Sequence, residues 1–253
     1  MRILVTGSGG FVGKYIMQAI PEAVPVSNLR NRMADIESIV DGADVIIHTA
    51  AISDTGTCER NPEESYNANV KMPVAIAEAA RNAKLIFFSS DQVYNGCEYE
   101  GPYSEEITNP VSVYARHKLE MEQRVLDINS DAVMLRPTWM FDKKRGFVAN
   151  MINATGDVEA PGQYRGVTWV KEAADNILKT LNLPGGAYNF GSENDLPMFS
   201  LIENTLKILG KDNPVVIGNA RHNLWMKTDK AQQQGIVFSS SMEGIRKCVE
   251  NKE

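Results

Sequence analysis

The stretch RILVTGSGGFVGKYI, residues 2–16, decides the fold. It opens as a short apolar, β-branched run, breaks on Gly7, Gly9, Gly10 and Gly13, and resumes with apolar positions at helical spacing. A strand that passes through a glycine turn straight into a helix is the first βα unit of a dinucleotide-binding fold. One glycine permits the tight turn, one lets the backbone approach a pyrophosphate, and the last lets helix and strand pack closely. The helix N-terminus then offers free N–H groups and the positive end of its dipole to a phosphate. Gly7, Ser8, Gly9, Gly10, Phe11, Val12 and Gly13 are therefore candidate cofactor contacts. Such a turn also occurs as an ordinary bend. Its place between the first strand and the first helix is what selects the dinucleotide.

Outward from this unit the alternation continues. The runs AVPVS (23–27), ADVIIHTAA (43–51), AKLIFFSS (83–90), AVMLRPTW (132–139) and AYNFGS (187–192) read as strands. FVGKYIMQAI, EESYNANVKMPVAIAEAARN and SVYARHKLEMEQRVLDI lie between them with helical periodicity. Near-continuous apolar strands separated by helices predict an α/β protein, a doubly wound parallel sheet (Rossmann fold) covered on both faces. After Trp139 the pattern loosens and Gly, Pro, Asn and Met become more frequent. We expect residues 1–139 and 167–192 to form the dinucleotide-binding domain, and residues 140–166 and 193–253 a smaller, interleaved substrate-binding cap with helices at about 199–209 and 241–251.

Composition narrows the function. The 253 residues are 43% hydrophobic with a net charge of −6, which argues against a partner that offers a phosphate backbone, so no nucleic acid is expected. The basic triplet Lys143-Lys144-Arg145 reads as a solvated loop. Cys58, Cys97 and Cys248 are widely separated and His48, His117 and His222 lack metal-ligand spacing, so neither a disulfide framework nor a metal site is expected. With no membrane-length apolar run and no leader expected before a strand starting at Arg2, the expectation is a cytoplasmic protein.

The end of the second strand bears on the cofactor. An acidic residue there would hold the ribose 2′-hydroxyl of NAD. The sequence reads VSNLRNR instead, so Arg30 and Arg32 are candidates to meet the 2′-phosphate of NADP, although they also fit an ordinary surface loop and NAD stays possible. Asp35 is a candidate for the adenine amine or else a helix N-cap.

Tyr114 and Lys118 stand four apart on a helix and share a face. A phenol has an ordinary pKa near 10 and a nearby ammonium lowers it, so the pair is expected to exchange a proton with a carbonyl or alcohol oxygen while hydride moves to or from a nicotinamide.

With these motifs in place, the chain resembles the extended short-chain dehydrogenase/reductases of the NAD-dependent epimerase/dehydratase type, and within them the dTDP-4-dehydrorhamnose reductase branch. TGSGGFVG, IIHTAA, TCERNPEESYNANV, FFSSDQVYNG, GPYSEEITNPVSVYARHKLEMEQ, MLRPTWMF and RGFVANMI carry the resemblance, and YRGVTWVKEAADNIL extends it. The resemblance implies Tyr114 as acid/base, Lys118 as the group that lowers its pKa and holds the nicotinamide ribose, Ser90 as a hydroxyl on the substrate oxygen, and Asn69 as a support for the lysine through a water. It implies further cofactor contacts at Asn28, Arg30, Asp35, Ile36, Thr49, Ala50, Ala51, Ser89, Arg136, Pro137 and Thr138. Trp139 would contact the sugar or else pack in the core. Arg165 and Arg221 are candidates for a sugar diphosphate, and the long helices at 63–82 and 112–128 for a homodimer interface.

Asp91 and Gln92 separate the reactions. Related 4,6-dehydratases carry an Asp-Glu pair after the Ser/Thr, because eliminating water needs both a base and an acid. Gln92 stands where the Glu would be, and an amide cannot take that proton. Reduction of a nucleotide-activated keto-deoxysugar is favoured. An epimerase with the same Ser-Tyr-Lys set, or a cofactor-bound regulatory subunit, are the alternatives.

Overall fold

In the computed structural model, which describes residues 1–98, 100–219 and 223–251, the chain builds a parallel six-stranded sheet. Its elements are β1 (Ile3–Thr6), α1 (Phe11–Ala19), β2 (Val24–Val26), α2 (Ile36–Val40), β3 (Val45–His48), α3 (Thr55–Arg60), α4 (Pro62–Tyr66), α5 (Met72–Ala79), β4 (Lys84–Phe88), α6 (Val113–Ile128) and β5 (Val133–Pro137). There follow β6 (Trp139–Phe141), α7 (Gly146–Ile152), β7 (Val158–Ala160), β8 (Val167–Trp169), α8 (Val170–Asn176), β9 (Gly186–Phe190), α9 (Met198–Ile208), β10 (Val215–Ile217), α10 (Asp229–Gln232) and α11 (Ser241–Glu250). The strand order is β2-β1-β3-β4-β5-β9. All six strands coincide with the apolar runs of the sequence. Where a longer doubly wound sheet would add a strand beyond β2, residues Leu29–Asp35 run as 3-10 turns.

Alternation explains why both faces are covered. Ile3, Val5, Val45, Ile47, Ile86, Phe88, Val133 and Leu135 point to one face, against α1 and α8. Leu4, Ile46, Leu85, Phe87 and Met134 point to the other, where α2, α5 and α6 pack. Every residue of β1 and β3 is buried, which is why these strands read as unbroken apolar runs rather than alternating ones. Between α4 and α5 the helix widens into a π turn at Asn67–Lys71. Such turns aim side chains out of the regular helical register.

A separate core gathers Phe141, Phe147, Val158, Val167, Leu201, Leu206 and Ile245 around two small parallel sheets, β6-β8 and β7-β10. Its buried residues lie within 141–167 and 198–248. Ala231, Ile236 and Phe238 return to the core of the large sheet, and Lys230 reaches the Ala187 carbonyl in β9 (2.8 Å). Val167 in turn belongs to the smaller core.

No helix of the described residues is long and apolar enough to cross a membrane. The same residues hold no cluster of potential metal ligands, and the three cysteines are free thiols.

Candidate active site

Reversal of the strand order at β1 opens a crevice at the carboxyl ends of β1 and β3, the place where such sheets bind ligands. Here it is a cleft of about 1240 Å3. Its first wall is the glycine turn. Gly7 takes a left-handed φ of +72°, and a Cβ there would stand 2.7 Å from the Ala50 nitrogen. A Cβ on Gly13 would come within 2.2 Å of the Gly7 carbonyl oxygen, so only glycine lets α1 cross this close to β1. At Gly9, by contrast, a Cβ would meet nothing within 4 Å. The backbone there faces the cleft, and no side chain caps the N-terminus of α1 at Gly10. A bare helix end beside an open glycine is the cradle a pyrophosphate needs.

Of the candidate cofactor contacts, Gly7, Gly9, Gly10, Phe11, Val12, Gly13, Asn28, Arg30, Thr49, Ala50, Ala51, Ser89, Pro137 and Thr138 line the cleft. Ser8 does not; its Cα packs under Gly13. Arg30 reaches Glu64 at 3.3 Å, and both side chains are more than half exposed. That pair contributes little and is readily exchanged for a phosphate. Arg32 pairs with Asp35 (3.4 Å), and neither lines the cleft. Ile36 is buried among Leu4, Val40 and Ile46. The 3-10 path after Leu29 thus leaves Asp35, a candidate for the adenine amine, and Ile36, a candidate cofactor contact, off the cleft wall.

Arg136, a further candidate cofactor contact, does not line the cleft either. Its guanidinium grips Glu122 through Nε (2.9 Å) and Nη2 (2.6 Å) and also reaches the Tyr94 hydroxyl and the Glu105 carbonyl. Arg136 and Glu122 are 3% and 2% exposed, so this is an interior ion pair and not a cofactor contact. Conversely, Arg145, which the sequence suggested to be a solvated loop residue, lines the cleft with its guanidinium 5.4 Å from the Phe11 ring. A basic triplet gives no sign of which member turns inward.

The floor of the cleft carries the chemistry. Ser112 caps α6 by accepting from the Ala115 N–H (3.2 Å), and this sets the register in which Tyr114 and Lys118 face inward. The Lys118 amine donates to the Phe88 carbonyl (2.7 Å) and lies 5.8 Å from the Tyr114 ring centroid. Burial pushes its pKa down to about 8, against the charge of Glu122 one turn later. Tyr114 has the Ser90 hydroxyl as its side-chain hydrogen-bonding neighbour. Its pKa lies well above the ordinary phenol value, chiefly because burial disfavours the phenolate, with the Asp91 carboxylate adding to the rise and Ser90 and Arg165 opposing it. A phenol held protonated is suited to give a proton rather than take one.

Asn69, the candidate support of the lysine through a water, is buried with its own direct partners. Its amide clasps the Ile52 backbone from both sides (3.0 and 2.9 Å) and donates to Ser65 (3.1 Å). It thus fixes the Ala50–Ala51 wall from the π turn. Asp91, Gln92, Trp139 and Arg165, the expected substrate contacts, all line the cleft beside Tyr114. Arg221 lies outside the described residues. His117 faces Ser65 (2.9 Å) rather than the cleft.

Sheet order, glycine cradle and floor residues together define a nucleotide-binding α/β fold with a hydroxyl-phenol-amine site. The chain belongs to the RmlD substrate binding domain family, whose model matches residues 1–210. It is 35% identical over 169 residues to a dTDP-4-dehydrorhamnose reductase of Mycolicibacterium smegmatis, a match covering 62% of this chain and 52% of that one. The chain therefore spans about half the length of that relative. Among solved structures it superimposes on a Bacillus anthracis dTDP-4-dehydrorhamnose reductase in complex with NADP (TM-score 0.87, 20% identity, 100% of this chain and 99% of that one). It also superimposes on a Thermus thermophilus UDP-glucose 4-epimerase in complex with NAD (TM-score 0.84, 21% identity, 99% and 98%). Reductases and epimerases share this fold, so the reaction is argued from the site.

Proposed function

We propose that this protein is an NADPH-dependent reductase of the keto group of a nucleotide-activated deoxysugar, of the dTDP-4-dehydrorhamnose reductase kind, with Tyr114 as proton donor. The observation that carries the proposal is the buried Tyr114 beside Ser90 on the floor of a cleft whose other end is a glycine cradle. When bound, NADPH supplies the hydride. The chain's own groups do the rest. Gly9, Gly10 and the N-terminus of α1 would receive the pyrophosphate, Arg30 the 2′-phosphate, and Ala50 and Ala51 the adjoining wall. Ser90 orients the carbonyl oxygen, and Tyr114 gives up its proton once negative charge develops there. Lys118 holds a positive charge behind the phenol. Gln92 leaves no base for dehydration.

Mixing the protein with NADPH and a panel of dTDP- and GDP-4-keto sugars tests this at the reduced-nicotinamide absorbance band. One cofactor oxidised per sugar is expected. Isomerisation without net oxidation identifies an epimerase instead, and silence across the panel favours a regulatory role. Pairing of the helices at 62–79 and 113–128 with those of a second copy belongs to the same reading, and light scattering that reports a monomer rejects it.

Two further outcomes follow from the geometry. Arg30→Gln should weaken NADPH by about tenfold and leave NADH unchanged, because only the 2′-phosphate meets that charge; equal loss for both cofactors would remove Arg30 from this role. The Lys118 amine, pushed down to about 8, is charged below that pH and neutral above it. Turnover should therefore fall as pH rises through about 8, and a flat profile to about pH 10 would exclude an essential ammonium.

A further inference from the structure

Asp91 and Arg165 lie 74 positions apart in the chain and meet across the cleft in a two-pronged ion pair, Nε to Oδ2 at 2.7 Å and Nη2 to Oδ1 at 3.1 Å. Asp91 sits on the turn after β4 and is 2% exposed at its side chain; Arg165 comes from the segment between β7 and β8 and is 15% exposed. The same Asp91 oxygen that meets Nη2 accepts from the Ser90 hydroxyl at 3.3 Å, and Ser90 is the neighbour of the Tyr114 phenol. On its other side the guanidinium lies 5.1 Å from the centre of the Trp139 ring. Tyr114, Ser90, Asp91, Arg165 and Trp139 thus form one continuous chain of contacts along the cleft wall.

This placement is wrong for reading a diphosphate. A carboxylate held against the guanidinium by two charge-assisted bonds cancels its charge and would repel a dianion brought alongside. The site has the properties needed instead for the sugar: a flat, planar donor backed by an aromatic ring, fixed beside the hydroxyl that orients the reacting carbonyl. Guanidinium geometry matters more here than its charge, since a lysine would offer neither the fork nor the stacking plane.

We propose that Arg165, seated by Asp91 and Trp139, is a specificity-determining residue that binds the oxygens borne by the two carbons beside the keto carbon of the sugar, the C3 hydroxyl and the ring oxygen on C5, and that it takes no part in holding the diphosphate. Asp91 is the positioning residue that keeps it there. The inference rests on the nucleotide-sugar reading given above.

Calorimetric titration of the full chain in saturating NADP+ with dTDP and with dTDP-glucose separates the possibilities. For Arg165→Met the affinity for dTDP-glucose should fall about ten- to hundredfold, the loss of a charge-assisted contact, while dTDP is unaffected. Arg165→Lys, which leaves Asp91 a counter-charge and so guards against misfolding, should show the same selective loss to a smaller degree. Asp91→Asn should follow it, because the guanidinium is present but unseated. Parallel weakening of dTDP and dTDP-glucose would make Arg165 a diphosphate reader and overturn the inference, as would an unchanged ratio of the two affinities. If the unsubstituted protein binds neither dTDP-glucose nor dTDP, the substrate reading itself fails and this inference falls with it.

Discussion

Tyr114→Phe should lower keto-sugar turnover by about 10²- to 10⁴-fold and leave NADPH affinity within about twofold of the parent, the range expected for removing one positioned proton donor. Phenylalanine keeps the ring that is packed beside Lys118, so the wall of the cleft stays intact and only the hydroxyl is lost. Hydride arriving at a carbonyl carbon leaves an alkoxide, a far stronger base than a phenolate. A phenol with a raised pKa is still acid enough for it, and its elevation keeps the proton in place until it is needed. Steady-state kinetics together with cofactor titration decide the matter. Full activity in the variant would move the proton source to Asp91 or to water.

The second large effect lies away from the cleft. Glu122→Gln should destabilise the fold by roughly 3–5 kcal/mol, because it leaves the Arg136 guanidinium, 3% exposed, without its counter-charge. For a chain of this size that corresponds to a fall in Tm of about 10 °C. Removing both charges together, in Glu122→Leu combined with Arg136→Met, should be far milder, since replacing a buried pair by apolar groups is often neutral. Glu122 also raises the pKa of Lys118, four residues before it on the same buried face of α6. The single variant should therefore bring the alkaline fall in activity to lower pH. Thermal melting of the single and double variants, with a pH profile of the single one, checks both claims; a single variant that melts within about 2 °C of the parent would show the pair to be dispensable.

What the sequence made legible were features with a local period or a fixed spacing. Gly7, Gly10 and Gly13 lie within one turn, Tyr114 and Lys118 within one helical repeat, and the central strands β1 and β3 are buried on both faces, so each announces itself over a few residues. What stayed hidden depends on contacts far apart in the chain. Nothing near Arg136 says that it will be buried against Glu122 and Tyr94, or near Arg165 that it will meet Asp91. Interior charges look like surface ones until the fold pairs them. Strands of three residues, such as Trp139–Phe141 and Val215–Ile217, are too short to show alternation. The return of Ala231 and Ile236 to the large sheet is carried by a four-residue helix with little pattern of its own. Nor does the sequence announce the 3-10 path at Leu29–Asp35, which leaves Asp35 and Ile36 off the cleft wall.

The account turns on a hydride crossing directly from the cofactor to the sugar while Tyr114 supplies the proton. The most direct test is to run the reaction with NADPH carrying deuterium at the transferred position of C4 and to examine the product sugar by mass spectrometry and NMR. We expect one deuterium at the former keto carbon, with one NADP+ formed per sugar reduced. A product that is isomerised but unlabelled, with the labelled cofactor recovered intact, would contradict it.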